Sequence, residues 1–239
     1  MSNISQLIEK AESGDIQAMR KLAMAYMEGN GVEQNADEVF NWIEKAAALG
    51  DAESQADLAD MLRAIESFDE AFFWEQNAAE QNFPKSQYNL GYCLREGIGT
   101  AKDAEKSFYW FSKAAENGLP NAKCSVGVCY LLGHGTQTDY QRAIHWLEQA
   151  ANEGDVEAKR RLGAAYIQGI GCSANEERGL SLLRDAATLG DNKAKELLKE
   201  VQGGRKGSSG CLVLFVSLGT LLTSGICGLV LLATIAWKF

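Results

Sequence analysis

The chain has 239 residues, 46% hydrophobic and 23% charged, with 24 glycines, 2 prolines and 6 cysteines; this excludes collagen-like, low-complexity and disordered chains, and scaffolds built on disulfides. A formal net charge of -9 argues against a nucleic-acid partner, because such binding depends on clustered Lys and Arg. The charge is unevenly placed: all 32 Asp and Glu lie at or before Glu200, and the last 29 residues hold one charged side chain, Lys238.

The N-terminus, MSNISQLIEKAESGD, has no basic stretch followed by an apolar run, so a secretory signal is not expected there. Residues 4–13 read as one short helix. From about residue 15 two helical patterns alternate. The first carries Ala18, Leu22 and Tyr26, and the same stripe returns as Ser54, Leu58, Leu62, as Ser86, Leu90, Leu94, as Ala122, Val126, Tyr130 and as Ala158, Leu162, Tyr166. Small, large, large at i, i+4, i+8 lines one helix face, the small residue allowing a neighbour to approach closely. Ala23, Ala59, Gly91, Gly127 and Gly163 repeat a second small position. Pro84 and Pro120 stand near the start of this helix, where a missing N–H costs little.

A turn follows: Gly29-Asn30-Gly31, Gly97-Ile98-Gly99, Gly133-His134-Gly135 and Gly169-Ile170-Gly171. Each follows a helix rather than a strand, so a dinucleotide-binding loop is rejected on context. The second helical pattern is marked by Trp42, Trp74, Trp110, Trp146 and Leu182, at spacings of 32, 36, 36 and 36. Seven residues before each stand Asn35, Ser67, Asp103, Asp139 and Asn175, all side chains that cap a helix N-terminus. Asn35 with Glu38 and Ser67 with Glu70 have capping-box spacing. Alanine pairs 46-47, 78-79, 114-115, 150-151 and 186-187 keep step. So do the terminators Gly14, Gly50, Asn82, Gly118, Gly154 and Gly190. The second unit lacks the turn glycines and is four residues shorter, which predicts a tighter turn. Residues 191–201 read as a closing half-unit.

A period of 36 with A-x-x-x-L-G-x-x-Y, then G-x-G, then A-x-x-W-x-x-K-A-A-x-x-G resembles the Sel1-like repeat, a relative of the tetratricopeptide repeat. The third unit, SQYNLGYCLREGIGTAKDAEKSFYWFSKAAENG, carries the motif, and the resemblance covers about residues 4–201. It implies an all-α superhelical solenoid over residues 1–202, made of five helix pairs with a half-unit at each end to cover exposed apolar faces. By analogy with the tetratricopeptide superhelix, the first helix of each pair lines a concave face at offsets of 3, 4 and 3. This selects Gln17, Arg20, Met24 and Met27; Glu53, Ala56, Asp60 and Arg63; Lys85, Tyr88, Tyr92 and Arg95; Asn121, Cys124, Val128 and Leu131; and Glu157, Arg160, Ala164 and Ile167. Positions that vary between units are free to serve a partner. Met24, Asp60, Arg63, Tyr88, Tyr92, Arg95, Val128, Leu131 and Arg160 are therefore expected to bind a peptide segment or helix of another protein.

No catalytic motif of the G-x-S-x-G, H-E-x-x-H or phosphate-loop kind occurs. His134 and His145 have no Cys or His partner at zinc-site spacing, so no metal and no cofactor are expected. Cys93, Cys124 and Cys129 fall on first helices without the regular pairing of secreted relatives, as reduced thiols would. Cys172, in a turn, has no adjacent base or cationic cluster to activate it.

Residues 203–210 read as a Gly/Ser linker, and residues 211–237 run for 27 positions without a formal charge, where roughly 20 apolar residues span a bilayer. A transmembrane helix is expected there, closed by Trp237 and Lys238. Arg205 and Lys206 before it favour a cytosolic repeat domain, as in a tail-anchored protein. Gly219, Thr223, Ser224 and Gly228 put small residues four apart, a pattern for span-to-span packing and homo-oligomers. The sequence thus reads as a non-enzymatic membrane-tethered adaptor. The alternative is an externally facing, enzyme-like or cell-wall-recognising repeat protein.

Overall fold

Helix starts in this chain are written as caps and its helix ends as glycines. The computed structural model describes residues 3–204, and among them it forms twelve helices: α1 (Asn3–Glu12), α2 (Ile16–Glu28), α3 (Ala36–Ala48), α4 (Ala52–Ala64), α5 (Phe68–Glu80), α6 (Pro84–Glu96), α7 (Ala104–Glu116), α8 (Pro120–Leu132), α9 (Tyr140–Asn152), α10 (Val156–Gln168), α11 (Glu176–Thr188) and α12 (Asn192–Gly204). Asn35, Asp103, Asp139 and Asn175 accept from backbone N–H groups in the first turns of α3, α7, α9 and α11. Ser67 departs from the expectation. It makes no side-chain cap, and its ψ of 69° lies outside the extended region that the other four caps adopt. First helices have their own cap column, with Asp15, Asp51, Asp155 and Asp191 accepting from residues three ahead. In the third and fourth units Phe83 and Leu119 hold that place, and Pro84 and Pro120 follow at the first helical position. There the ring presets the backbone and one orphan N–H is removed instead of capped.

Each helix packs on its neighbours in the chain, giving the antiparallel pairs of an α-solenoid. Among the described residues the core runs along the array as a series of buried clusters. Ala46, Ala78, Ala114, Ala150 and Ala186 are all fully buried. Beside them each second helix inserts a large side chain against the small position of the first. A Cβ at Gly91 would lie 2.8 Å from the Phe111 ring, and one at Gly127 2.8 Å from Leu147. These contacts explain the repeated small residue better than propensity does, since glycine weakens a helix interior.

The turn between the helices of a pair spans seven residues in units one, three, four and five, and three, 65–67, in unit two. The shorter unit is thus tightened as its sequence predicts, with Glu66 taking a left-handed backbone (φ 62°) without glycine. In the long turns the second glycine does more than bend the chain. A Cβ on Gly135 would sit 1.9 Å from the carbonyl oxygen of Ala104, where α7 of the preceding unit begins. Gly99 and Gly171 stand in the same relation to Phe68 and Tyr140. The turn therefore seats one unit on the backbone of the last.

At the C-terminal end α12 runs through Gly204, two residues into the segment expected to be linker. No helix among the described residues is long and apolar enough to cross a membrane. The expected span at 211–237, with Gly219, Thr223, Ser224 and Gly228, lies outside the described residues.

Candidate functional site

The first helices stand side by side and form one face of the array. Arg20 on α2 pairs with Glu53 on α4, Lys85 Nζ on α6 lies 2.6 Å from Asp60 on α4, and the Tyr88 hydroxyl on α6 interacts with Ser125 on α8. Side chains at the expected offsets divide into three groups on this face. Met24, at 53% exposed, and Met27, at 58%, lie open at the N-terminal end. Met24 lines an open cavity of about 540 Å³ there with Leu7 and Lys21.

A polar group occupies the second unit and the start of the third. Arg63 Nη1 donates to Asp60 Oδ1 at 2.6 Å and Arg63 Nη2 to Glu75 Oε1 at 2.6 Å. Burial opposes the Arg63 charge, yet Glu75 and Asp60 hold its pKa above the ordinary value. Asp57 is half-buried between these pairs. Burial raises its carboxyl, and Lys85 and Arg20 draw it back down.

The third group is aromatic and cationic. The Arg95 guanidinium lies 5.1 Å from the Tyr92 ring centre and 5.6 Å from that of Phe111, and its Nε donates to Glu96 at 2.8 Å. Such contacts order a cation against a ring face. Tyr88 is half-buried with its ring centre 5.5 Å from Phe111, so much of it is committed to the core. Tyr92 keeps 41% of its surface exposed. Val128 and Leu131 follow on α8, half-buried over the core of the fourth and fifth units. Tyr88, Tyr92 and Arg95 thus stand on α6 and Val128 and Leu131 on α8, neighbouring first helices, while Met24 and the Asp60–Arg63 pair stand on α2 and α4 toward the N-terminal side.

Arg160 departs from the expectation. Its side chain is 6% exposed, with Nε 2.9 Å from Asp191 and Nη2 3.4 Å from Glu157, so it ties α10 to the cap of α12 and presents no free guanidinium. Ala56, Cys124 and Ala164, also selected as lining, are buried. Recurrence in the sequence also passes over several polar side chains. Gln55 donates to Ala47 O and accepts from Gln81, and Gln87 donates to Ala79 O and accepts from Asn117, which ties α4 to α3 and to the end of α5, and α6 to α5 and to the end of α7. Glu75 is wholly buried.

Burial governs the titration of the described thiols. Burial pushes the Cys93 thiol up to about 11 and Cys129 up to about 12, and raises Cys124 and Cys172 as well. Thiols so placed hold their protons at neutral pH. Burial and the Arg95 charge lower the His134 pKa. Among the described residues no group of three or more His, Cys, Asp or Glu is arranged to hold a metal ion.

Comparison with known proteins bears on the whole array. The Sel1 repeat model matches residues 16–51, 84–119, 120–155 and 156–191. The structure is similar to that of a protective antigen of uropathogenic Escherichia coli with an SLR fold, at TM-score 0.77 and 31% identity over 85% of this chain and 45% of that one. The present chain thus spans less than half of that antigen. It is also similar to a Sel1 repeat protein from Oxalobacter formigenes, at TM-score 0.75 and 31% identity over 79% of each chain. No curated protein matches the sequence.

Proposed function

The chain belongs to the Sel1 repeat family, and from that premise we propose that it is a non-enzymatic adaptor, tethered to a membrane, that holds a peptide segment or helix of another protein on its first-helix face. Sel1 repeat proteins are in general protein-interaction scaffolds, and their fold is in general non-catalytic. The observation that carries the reading is the stretch Tyr92–Arg95 with Val128 and Leu131. An aromatic ring 41% exposed and an arginine stacked on it share the first-helix face with half-buried apolar side chains; aromatic and arginine side chains are enriched among those that carry interface energy. The change Tyr92→Ala with Arg95→Ala should lower partner recovery on co-purification about tenfold or more while circular dichroism stays unchanged. Unaltered recovery removes the assignment.

The tether rests on residues 211–237, 27 positions without a charge. Joined to the array through residues 205–210, they would concentrate a bound partner near membrane proteins without any new contact. Arg205 and Lys206, standing before this segment, favour the cytoplasmic side for the array. In intact cells the repeat domain should resist external protease, and the full chain should stay with membranes through alkaline carbonate washing, whereas a chain ending at residue 210 should not. Digestion from outside, or release of the full chain, rejects this part.

A further inference from the structure

Each second helix turns one side chain fully inward at an equivalent place. Units one, three, four and five put Ile43, Phe111, Leu147 and Leu183 there, each 7% exposed or less. Unit two puts Glu75, at 0%. Its Oε1 accepts from Arg63 Nη2 on α4 at 2.6 Å and from Asn89 Nδ2 on α6 at 2.7 Å. Its Oε2, and the Oγ of wholly buried Ser86 on α6, have no hydrogen bond of good geometry. A carboxylate where the other units place hydrocarbon carries a desolvation cost that one good oxygen does not cancel. What it gains is geometry. Arg63 and Asn89 are both half-exposed, and Arg63 passes the connection to Asp60, which passes it to Lys85 at 2.6 Å. The buried carboxylate is the root of a polar chain that joins α4 to α6 by two routes.

Resting on the reading of the first-helix face as the binding surface, we infer that Glu75 is a positioning residue of that surface: from inside the wall it fixes where Arg63 and Asn89 stand, and so sets the charge pattern between the second and third units. A side chain enclosed in the core would thus shape the surface from behind, and the polar stretch of the face falls in the unit whose core position is acidic.

The test uses the full chain in detergent micelles, with Glu75→Ile and Glu75→Gln. Isoleucine copies unit one, where Ile43 serves as the inward residue and Ala23 occupies the place of Ala59. Nitrogen-15 NMR of arginine side chains, with the Arg63 signal identified by its loss in Arg63→Lys, reports the guanidinium without any partner. In the unaltered protein the Arg63 N–H signals should be resolved and exchange slowly. In Glu75→Ile exchange should quicken at least tenfold, because Arg63 loses the buried oxygen that holds it.

The pH dependence has a definite sign. Burial raises the Glu75 carboxyl, and Ser86, Asn89 and Arg63 pull against it. The folded protein then takes up this proton before the unfolded chain does, so the unaltered protein gains stability as pH falls from neutral through the raised value. Measured against the unaltered protein, the stability of Glu75→Ile should therefore fall as pH goes from 7 toward 5. The groups facing Glu75 are Arg63 from α4 and Lys85, Ser86, Asn89 and Cys93 from α6. Arg63, Lys85 and Cys93 all keep their protons from pH 7 to pH 5, so the difference between the two proteins over that range belongs to Glu75.

Should Glu75→Ile fail to fold, the nearly isosteric Glu75→Gln must still quicken Arg63 exchange and lose the pH-dependent gain. Unchanged Arg63 signals in the folded variants overturn the inference, as does a stability difference that ignores pH. Neither readout involves Tyr92, Arg95 or a partner, so a failure here is separate from a failure of the binding surface.

Discussion

Alanine at Gly135 is expected to destabilise the array by about 3 kcal/mol, while alanine at Gly154 costs about 1 kcal/mol. Both glycines hold left-handed backbone, with φ of 70° and 96°, so both substitutions are strained by conformation. They differ in surroundings. A Cβ at Gly154 meets nothing within 4 Å, whereas one at Gly135 meets the Ala104 carbonyl oxygen at 1.9 Å and its carbon at 2.6 Å. Backbone at the start of a packed helix cannot yield as the tip of a flexible side chain can. The fourth unit must lift from the third or the turn must refold. Urea unfolding of the two variants measures the difference directly, and equal midpoints would show that the turn does not seat one unit on the next.

Phe111→Ala should cost about 3–5 kcal/mol, the ordinary loss for emptying a fully buried aromatic site. Phe111 is 0% exposed and fills the space that Gly91 leaves on α6. The helix backbones are held apart by neighbours along the whole array, so little collapse into the vacancy is available. The same ring backs Tyr88 at 5.5 Å and Arg95 at 5.6 Å. Its removal should also weaken the partner, even at temperatures where the array stays folded. A variant that melts lower yet recovers partner normally would separate the core from the surface and count against the Tyr92–Arg95 stretch as the centre of binding.

Recurrence made the scaffold legible. A residue that returns every 36 positions in the same company has the same duty each time, and the caps Asn35, Asp103, Asp139 and Asn175 perform that duty in the structure. Recurrence says less where one unit departs. Ser67 sits in the right column, but a three-residue turn holds its backbone away from the extended conformation that aims a cap oxygen at the helix. Arg160 lies at a lining offset, yet its long side chain leaves that sector for Asp191, the cap of the following helix. Glu75 was visible in principle. It stands immediately after Trp74, as Ile43, Phe111 and Leu147 stand after Trp42, Trp110 and Trp146, and a column of hydrocarbon with one acid marks an exception. What the acid holds depends on side-chain reach across two helices, which spacing along one chain does not encode.

The short turn of the second unit has a mechanical consequence. Later joints are buttressed where a glycine-lined turn bears on the preceding helix, at Phe68, Ala104 and Tyr140. The second unit has no such glycine to reach back toward α3, and its joint with the first unit relies on side chains such as Arg20–Glu53 and Gln55 with Ala47 O. Side-chain ties stretch and reform more readily than backbone pressed on backbone. Under an axial pull the joint between α3 and α4 therefore gives by rearrangement of side chains, where the joints at Phe68, Ala104 and Tyr140 bear backbone on backbone, and the exposed methionines of α2 lie on the outer side of it.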